Sequence, residues 1–388
     1  MNLFVAAVAV SAISNYTSAN ILLKLFFIVL LSLAFIVLLK KQGYGILYLF
    51  DFRKNVFLLR LLGGLEFLLL LNLVYSVNIE YGLFKLIQLN LTAFPLILIL
   101  AKTLELRDEK LFEVFYISVI GWSILTFIAI AAVNPFDQST VYRFELTRWS
   151  HVILGRFEFL LLTILLGINV TGRFKVYKKY AFAAIILLII AISVTGLRSV
   201  MLGTFILVPL MLLIGISRKE VKKGEAALIL ILLIITPLAV RYFISNDTGK
   251  YRIDTLLPTN NQLLLQDASV TGRMEAYKFS VEKFLESPVI GKGLGGYYKS
   301  ADSTGIQGGR YPHNILLEVL VESGIAGLLV LGYLIFLIIA KTRQMSLGVM
   351  VFFLAALYLA MFSKDIPGNS VFLLGLAFIR GKKLNDDL

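Results

Sequence analysis

The sequence predicts an all-α protein built as a polytopic bundle of transmembrane helices. Of its 388 residues, 59% are hydrophobic and only 16% are charged, a balance far from that of soluble domains. The apolar residues form long runs separated by polar breaks. A helix of roughly 20 apolar residues crosses a bilayer, so the chain has room for about 12 helices.

Apolar runs and polar breaks place the candidate spans along the chain. The runs lie at 2–14, 20–40, 55–77, 81–101, 112–133, 151–170, 178–196, 198–216, 225–244, 314–340, 345–362 and 366–380. We interpret the short first run as an uncleaved helix rather than a signal peptide. The predicted organisation is therefore nine helices in 1–245, a long connection at 246–312 and three helices in 313–388.

Basic residues predict the orientation of these helices. They recur in every second connection, at 40–54, 102–110, 173–179, 218–223 and 341–343, and again at 380–383. The positive-inside rule makes those segments cytoplasmic, with a cytoplasmic C-terminus, and places the 246–312 connection outside. The same residues account for most of the net charge of +13, so no nucleic acid is expected as a partner.

Two features of the sequence limit the kinds of functional site that the protein can contain. Cysteine is absent, which excludes a disulfide framework, a thiolate metal site and a cysteine nucleophile. The outer connections carry few basic residues, and the positive-inside rule does not explain those that are there. They are candidate functional residues on the outer side of the membrane: Arg143, Arg148, Arg156 and Arg198.

The long outer connection contains a predicted helix and a glycine turn. Apolar residues at Met274, Tyr277, Val281 and Phe284 have the spacing of one helical face, which predicts a helix over about 272–286 that lies over the membrane domain. The following GKGLGG formally matches G-x-G-x-x-G. A dinucleotide site needs a strand before that motif and a helix after it, so we interpret it as a turn.

His313 stands beside Asn314 at the start of an apolar run. A helix that begins near Pro312 would put His313 in line with Leu317, Leu320, Gly324 and Gly327. The two glycines would let another helix approach, and the helix dipole would favour a neutral imidazole and attract phosphate. From the residues alone, a capping or interfacial histidine is an equally good interpretation. Glu318 and Glu322 lie off that line and are expected to be packing or loop-pairing groups.

Three segments resemble the superfamily of O-antigen ligases and Wzy-type O-antigen polymerases. HNILLEVLVESGIAG resembles its His-Asn signature with a spaced Gly-x-x-Gly, GRMEAYKFSVEKFLESPVIGKGLGGYY resembles its arginine-helix-glycine segment, and TGLRSVMLG is similar to its Ser-Arg motif. Leu197 stands where members often have serine. Together the motifs cover the C-terminal half, and the N-terminal half is similar only in hydropathy.

The resemblance implies a GT-C-like glycosyltransferase in the bacterial cytoplasmic (inner) membrane, with its active site facing the periplasm. It implies an undecaprenyl-diphosphate-linked oligosaccharide as donor, and the expected partners are membrane lipids, a chain-length regulator and a flippase. The catalytic residues implied are His313, Arg198 and Arg273. Arginines stabilise a departing diphosphate with paired donors, and a neutral histidine can act on an acceptor hydroxyl.

Further residues complete the expected site. Arg148, Arg156 and Asn314 are candidate diphosphate ligands, while Tyr297, Tyr298 and Tyr311 could stack on sugars or serve as interfacial residues. The outer segments contain no D-x-D motif, so an inverting reaction without a metal or other cofactor is expected.

We predict a polymerase of surface-polysaccharide repeat units. One alternative is a ligase that moves finished glycan to a lipid A core. The other is an anion or bicarbonate transporter, which should carry basic residues or broken helices near the bilayer midplane.

Overall fold

The described part of the chain is predominantly helical. The computed structural model describes residues 51, 55–105, 109–132, 151–171, 177–195, 197–243, 268–297, 309, 311–345, 347–362 and 365–380, and within these ranges it contains no β-strand. Numbered in chain order, the helices are α1 (Val56–Val74), α2 (Ile79–Gln88), α3 (Phe94–Glu105), α4 (Glu109–Ala132), α5 (His151–Thr171), α6 (Lys178–Thr195), α7 (Arg198–Ser217), α8 (Lys223–Phe243), α9 (Ala268–Glu286), α10 (Ile315–Met345), α11 (Leu347–Ala360) and α12 (Ser370–Leu373).

Several of these helices have the length and composition of membrane spans. In the described residues, five stretches qualify: Val56–Val74, Ile79–Lys102, Lys178–Thr195, Arg198–Ser217 and Ile315–Arg343. Two shorter apolar helices cover Tyr116–Ile128 and Gly348–Ala360. The all-α class and the membrane character are confirmed for this part of the chain. The predicted spans at 2–14 and 20–40 lie outside the described residues, so the count of 12 helices stays a prediction.

Two predicted spans differ in detail from the helices observed. The span at 81–101 is not one regular helix, because a π-helical segment, Leu89–Ala93, joins α2 to α3. The span at 366–380 is not a continuous α-helix either. It consists of 3₁₀ turns at Pro367–Asn369 and Leu374–Arg380 on either side of α12. Residues 371–379 are all buried, so packing rather than helical propensity sets their backbone.

The described helices belong to two compact units. The first contains α4 to α8 and nearly all of α11. Within it α5 packs against α6 and α7. Helices α5 and α11 meet at two glycines, since a Cβ atom on Gly167 would stand 2.6 Å from the Cα atom of Gly348. The Tyr358 hydroxyl on α11 donates a 2.7 Å hydrogen bond to the carbonyl of Ser199 on α7.

The second unit contains α1 to α3, α9, α10 and the final 3₁₀ segment. A tight turn joins α1 to α2, and Asn78 caps α2 by accepting a 3.0 Å hydrogen bond from the Tyr81 amide. Helix α9 packs against α10, and the final segment packs against α3 and α10. Lys102, near the end of α3, donates to the carbonyl of Asp51.

Candidate functional site

His313 lies in the loop immediately before α10, not on the helix. The helix begins at Ile315, and Asn314 caps it by accepting 3.0 Å and 3.2 Å hydrogen bonds from the amides of Leu316 and Leu317. The prediction of a helix that starts near Pro312 is therefore wrong by about one turn. Two amides that could have bound phosphate are instead occupied by the Asn314 side chain.

The backbone of His313 is held in an unusual conformation. Its φ is 57°, the left-handed region that non-glycine residues seldom adopt. The side chain is exposed, and its ring meets the edge of the Tyr311 ring with centroids 4.7 Å apart. Left-handed residues of this kind cluster at functional sites because surrounding contacts must maintain them. The geometry presents the imidazole outward beside an aromatic ring.

Helix α10 is broken at Gly324, which has φ 62° and ψ −158°. The predicted line of residues from His313 through Gly324 to Gly327 is therefore not formed, since His313 precedes the helix and Gly324 interrupts it. Gly324 does allow a close approach, but by a loop rather than by another helix. A Cβ atom there would overlap the backbone of Val289 and Ile290.

The loop at this break runs from Pro288 into the glycine turn at 291–296, and the prediction of a turn is confirmed. Gly291, Gly293 and Gly295 all have positive φ, between 74° and 82°. On one side, Lys292 and Gly293 donate hydrogen bonds of 2.8 Å and 2.9 Å to the carbonyls of Val321 and Glu322. On the other side, the amide of Val77 in the α1–α2 connection donates to the carbonyl of Lys292, and the amide of Leu294 donates to the carbonyl of Asn72 on α1, both at 3.1 Å.

Arg273 lies on α9, which begins four residues before the predicted helix and ends at Glu286 as predicted. The Arg273 side chain is half-buried, on the same side of α9 as the buried Ser280. Glu286 at the end of α9 pairs with Lys283 at 2.7 Å and with Lys292 of the glycine turn at 2.8 Å. Hydrogen bonds from these two lysines lower the pKa of Glu286 to about 2. Arg273 therefore lies on a helix whose end is held to the glycine turn by an ion pair.

The predicted aromatic residues divide into a packing residue and a surface residue. Tyr297 is only 2% exposed, and its ring packs edge-on against Phe279 with centroids 5.5 Å apart. Burial, and to a smaller degree the charge of Glu318, raises the pKa of Tyr297 to about 12. Sugar stacking therefore fits the half-exposed Tyr311 better. Tyr298 and Arg148 lie outside the described residues.

A buried ion cluster on the first two turns of α10, shortly after His313, was not predicted. Lys85 on α2 donates to both Glu318 and Glu322 on α10, and none of the three side chains is exposed. The amide of Ile366 also donates to Glu318, at 3.2 Å, and Tyr81 donates a 3.0 Å hydrogen bond to Asp365. The two glutamates were expected to be packing or loop-pairing groups. Glu318 does pair with the amide of Ile366, but the main partner of both is Lys85 on a helix, and the sequence signal for it was a lysine inside an apolar run.

The remaining predicted arginines belong to the first unit. Arg198 is the first residue of α7 and is half-buried, whereas Arg156 on α5 is buried. A Cβ atom on Gly155 would stand 2.9 Å from Oγ1 of Thr195, so α5 contacts the α6–α7 turn next to Arg156. Glu158, also on α5, was not predicted. It is fully buried, and neither carboxylate oxygen has a hydrogen-bond partner among the described residues.

Metal ligands are not grouped in the described ranges, where no set of three or more histidine or acidic side chains could hold an ion. The candidate residues that the structure describes are arginine, histidine, asparagine and tyrosine side chains. Arg198 belongs to the first unit, while Arg273, His313 and Tyr311 belong to the second.

Comparison with known proteins identifies the family of this region. A family model described as O-Antigen ligase matches residues 183–332, which include Arg198, Arg273 and His313. Arg148 and Arg156 precede the match. No curated protein matches the chain significantly. The resemblance seen in the sequence motifs is confirmed, because residues 183–332 match this family model, consistent with the superfamily of O-antigen ligases and Wzy-type polymerases.

Proposed function

We propose that this chain is a glycosyltransferase that polymerises repeat units of a bacterial surface polysaccharide at the outer face of the cytoplasmic membrane. Its substrates are two undecaprenyl-diphosphate-linked oligosaccharides, one as donor and one as acceptor. The observation that carries the proposal is the exposed His313, held in a left-handed conformation directly before a capped helix inside the matched family domain.

His313 serves as the general base in this proposal. Its imidazole accepts the proton of the acceptor hydroxyl as that oxygen attacks the anomeric carbon of the donor. A glycosidic carbon–oxygen bond forms, the bond from the anomeric carbon to the diphosphate breaks, and undecaprenyl diphosphate departs with the bonding electrons. Because this is a single displacement, the anomeric configuration inverts.

Arg273 and Arg198 stabilise the negative charge of the departing diphosphate. Guanidinium groups stay charged and offer paired donors that match phosphate oxygens. Arg273 is supported by its place on α9, which packs against α10 and is tied to the glycine turn through Glu286. The assignment of Arg198 rests on the motif around it, and Arg156, Arg148 and Asn314 are secondary ligands.

A ligase is the second candidate, because the family model carries that description. The acceptor would then be a lipid A core instead of a second lipid-linked repeat unit. Both enzymes need the same base and the same stabilisation of diphosphate, so they differ in the acceptor alone.

A transporter is less well supported, even though α10 is broken. Broken helices in transporters leave backbone groups open for ions or substrates. Around Gly324 four such groups have partners: the carbonyls of Val321 and Glu322 accept from the glycine turn, and the amides of Ile325 and Ala326 donate to Pro288 and Val289. This break therefore serves loop docking, which agrees better with an enzyme.

Purified protein supplied only with undecaprenyl-diphosphate-linked repeat units tests the proposal. A polymerase has both substrates in this mixture and should build a ladder of products, also with a chelator present. A ligase lacks its acceptor and should build none until lipid A core is added. A ladder abolished by chelation would contradict the arginine-based account of the leaving group.

The His313→Ala variant tests the base in the same assay. We expect at least a ~100-fold lower rate, in the range of general-base contributions. Wild-type activity should also fall in acidic buffer, where imidazole is protonated and cannot accept a proton. A ladder that survives His313→Ala at full rate would leave His313 as a structural residue of the loop.

A further inference from the structure

The first part of α10 is a short helix with its own supports. It runs from Ile315 to Ser323, between the Asn314 cap and the break at Gly324. Because the backbone turns at Gly324, the longer helix after the break does not fix the direction of this short helix. Its first turn holds Asn314 through the 3.0 Å hydrogen bond from Glu318 N to Asn314 O, and His313 comes directly before. The position of the short helix therefore sets the position of His313.

Lys85 on α2 contacts this short helix through two of its carboxylates. Glu318 and Glu322 are one turn apart on it, and the Lys85 ammonium donates to one oxygen of each carboxylate. All three side chains have no exposed area. Charge-assisted contacts in a dry interior are strong and directional, so a single ammonium between two carboxylates fixes both turns of the helix.

The same face of α2 also holds the segment that precedes the final 3₁₀ turns. Tyr81, one turn before Lys85, donates to Asp365, and Ile366 donates to Glu318. The second oxygens of Glu318 and Glu322 are buried and have no hydrogen-bond partner among the described residues. With Lys85 removed, these carboxylates would lose their counter-charge and would have to move toward water or bind protons.

We propose that Lys85 is a positioning residue that holds the His313 loop in its working geometry through Glu318 and Glu322. The expected loss of activity rests on the proposed function of His313. The expected displacement of the His313 loop does not. Lys85 touches no reacting atom in this account. Its loss should displace His313 and lower the rate of transfer without weakening substrate binding to the same degree.

The test combines a spin label with kinetics. The chain has no native cysteine, so His313→Cys can carry a nitroxide whose mobility reports on the loop without any need for activity. In the Lys85→Met background we expect a more mobile label. With His313 intact, Lys85→Met should lower kcat about 10- to 100-fold, as small displacements of catalytic groups do, and should change KM much less.

Lys102→Met is the matched control. Lys102 is a buried lysine in the same candidate membrane span, Ile79–Lys102, but it donates to the carbonyl of Asp51 and is not part of the ion cluster. Lys102→Met should leave the mobility of the label, kcat and KM as they are in the wild type. Equal effects of Lys85→Met and Lys102→Met would mean that any loss of a buried lysine loosens the protein, and would overturn the proposal.

A triple variant separates positioning from charge balance. Lys85→Met with Glu318→Gln and Glu322→Gln leaves no uncompensated carboxylate, so it should fold even where Lys85→Met does not. We expect the mobile label and the low kcat to persist in it. Restoration of wild-type kcat, a label that stays rigid, or failure of both variants to fold would each overturn the positioning role. A mobile label in a protein whose wild type shows no transfer would instead count against the proposed function.

Discussion

Gly324 and Val289 are in direct backbone contact, and the carbonyl of Val289 occupies the space that a Cβ atom on Gly324 would need. On both sides of this contact, backbone groups freed by the break in α10 are hydrogen-bonded to residues 288–293. An apolar helix can be interrupted only where its freed amides and carbonyls find other partners. Pro288, Val289 and the glycine turn supply those partners. The break in turn lets the short helix that follows His313 take its own direction.

Gly324→Ala should destabilise the protein substantially. Alanine is strained at φ 62° by about 1–3 kcal/mol, and its Cβ would also collide with Val289. Thermal unfolding in detergent should show a clearly lower Tm. Gly332→Ala on the same helix is the control, because nothing lies within 4 Å of its added Cβ. That variant should be neutral or stabilised by up to about 1 kcal/mol through helix propensity. Equal Tm values for the two variants would show that the break is not required.

Leu285 should lie in the boundary between lipid headgroups and acyl chains. The exposed side of α9 has an apolar flank, and Leu285 on it is 68% exposed. Ile290, four residues after the end of α9, is 53% exposed and accepts a 2.8 Å hydrogen bond from Tyr75 at the end of the α1 span. Apolar surface continuous with a membrane span favours insertion at the interface. A fluorophore on Leu285→Cys should be quenched by nitroxide lipids.

Glu275→Cys provides the comparison for this measurement. Glu275 is exposed on the acidic flank of the same helix, so a fluorophore there should remain in water and resist quenching. Equal quenching at both positions would argue that α9 is immersed without a preferred side. Quenching at neither position would mean that its apolar flank is covered by protein.

The sequence predicted the helices well because apolar runs have few alternatives in lipid. Every backbone group must be paired internally there, so hydropathy alone located α1 and α7 to within a few residues. The break at Gly324 was missed, because the same glycine also fits the packing surface of an unbroken helix. Its conformation depends on a loop that begins more than 30 residues earlier in the chain, and no local pattern reports that contact.

At the candidate site, too, the features set by neighbouring residues could be predicted, and those set by distant contacts could not. Asn314 is a strong capping residue, so the helix start after His313 could have been predicted from local preference. The Lys85 cluster could be suspected from a charge in an apolar run, but its partners are more than 230 residues away in sequence. Pairing at that separation is decided by tertiary packing. Tyr297 was predicted to stack on sugars or to be an interfacial residue, whereas the structure buries it.

Cysteine labelling should reveal the orientation of the chain. Glu275→Cys lies in the segment predicted to be outside, and Lys179→Cys lies at the start of α6 in a connection predicted to be cytoplasmic. Both positions are exposed, and no native cysteine gives a background. An impermeant maleimide should label only the first in intact cells and both after the membrane is opened. The reverse pattern would place the candidate residues on the cytoplasmic side.

Arg198→Lys should separate charge from geometry at the start of α7. Lysine keeps the positive charge but loses the planar pair of donors that matches a diphosphate. Complete removal of one stabilising donor commonly costs about 100-fold or more in rate, and the charge that lysine retains makes the loss smaller. We therefore expect transfer to fall about 10- to 100-fold while the amount of inserted protein and its Tm stay unchanged. Arg218→Lys is the control, because Arg218 caps the opposite end of the same helix and is exposed. It should retain full activity.

If Arg198→Lys also retained full activity, the positive charge alone would suffice and the paired-donor role would be wrong. A fall in Tm together with activity would make Arg198 a residue that stabilises the α6–α7 turn instead.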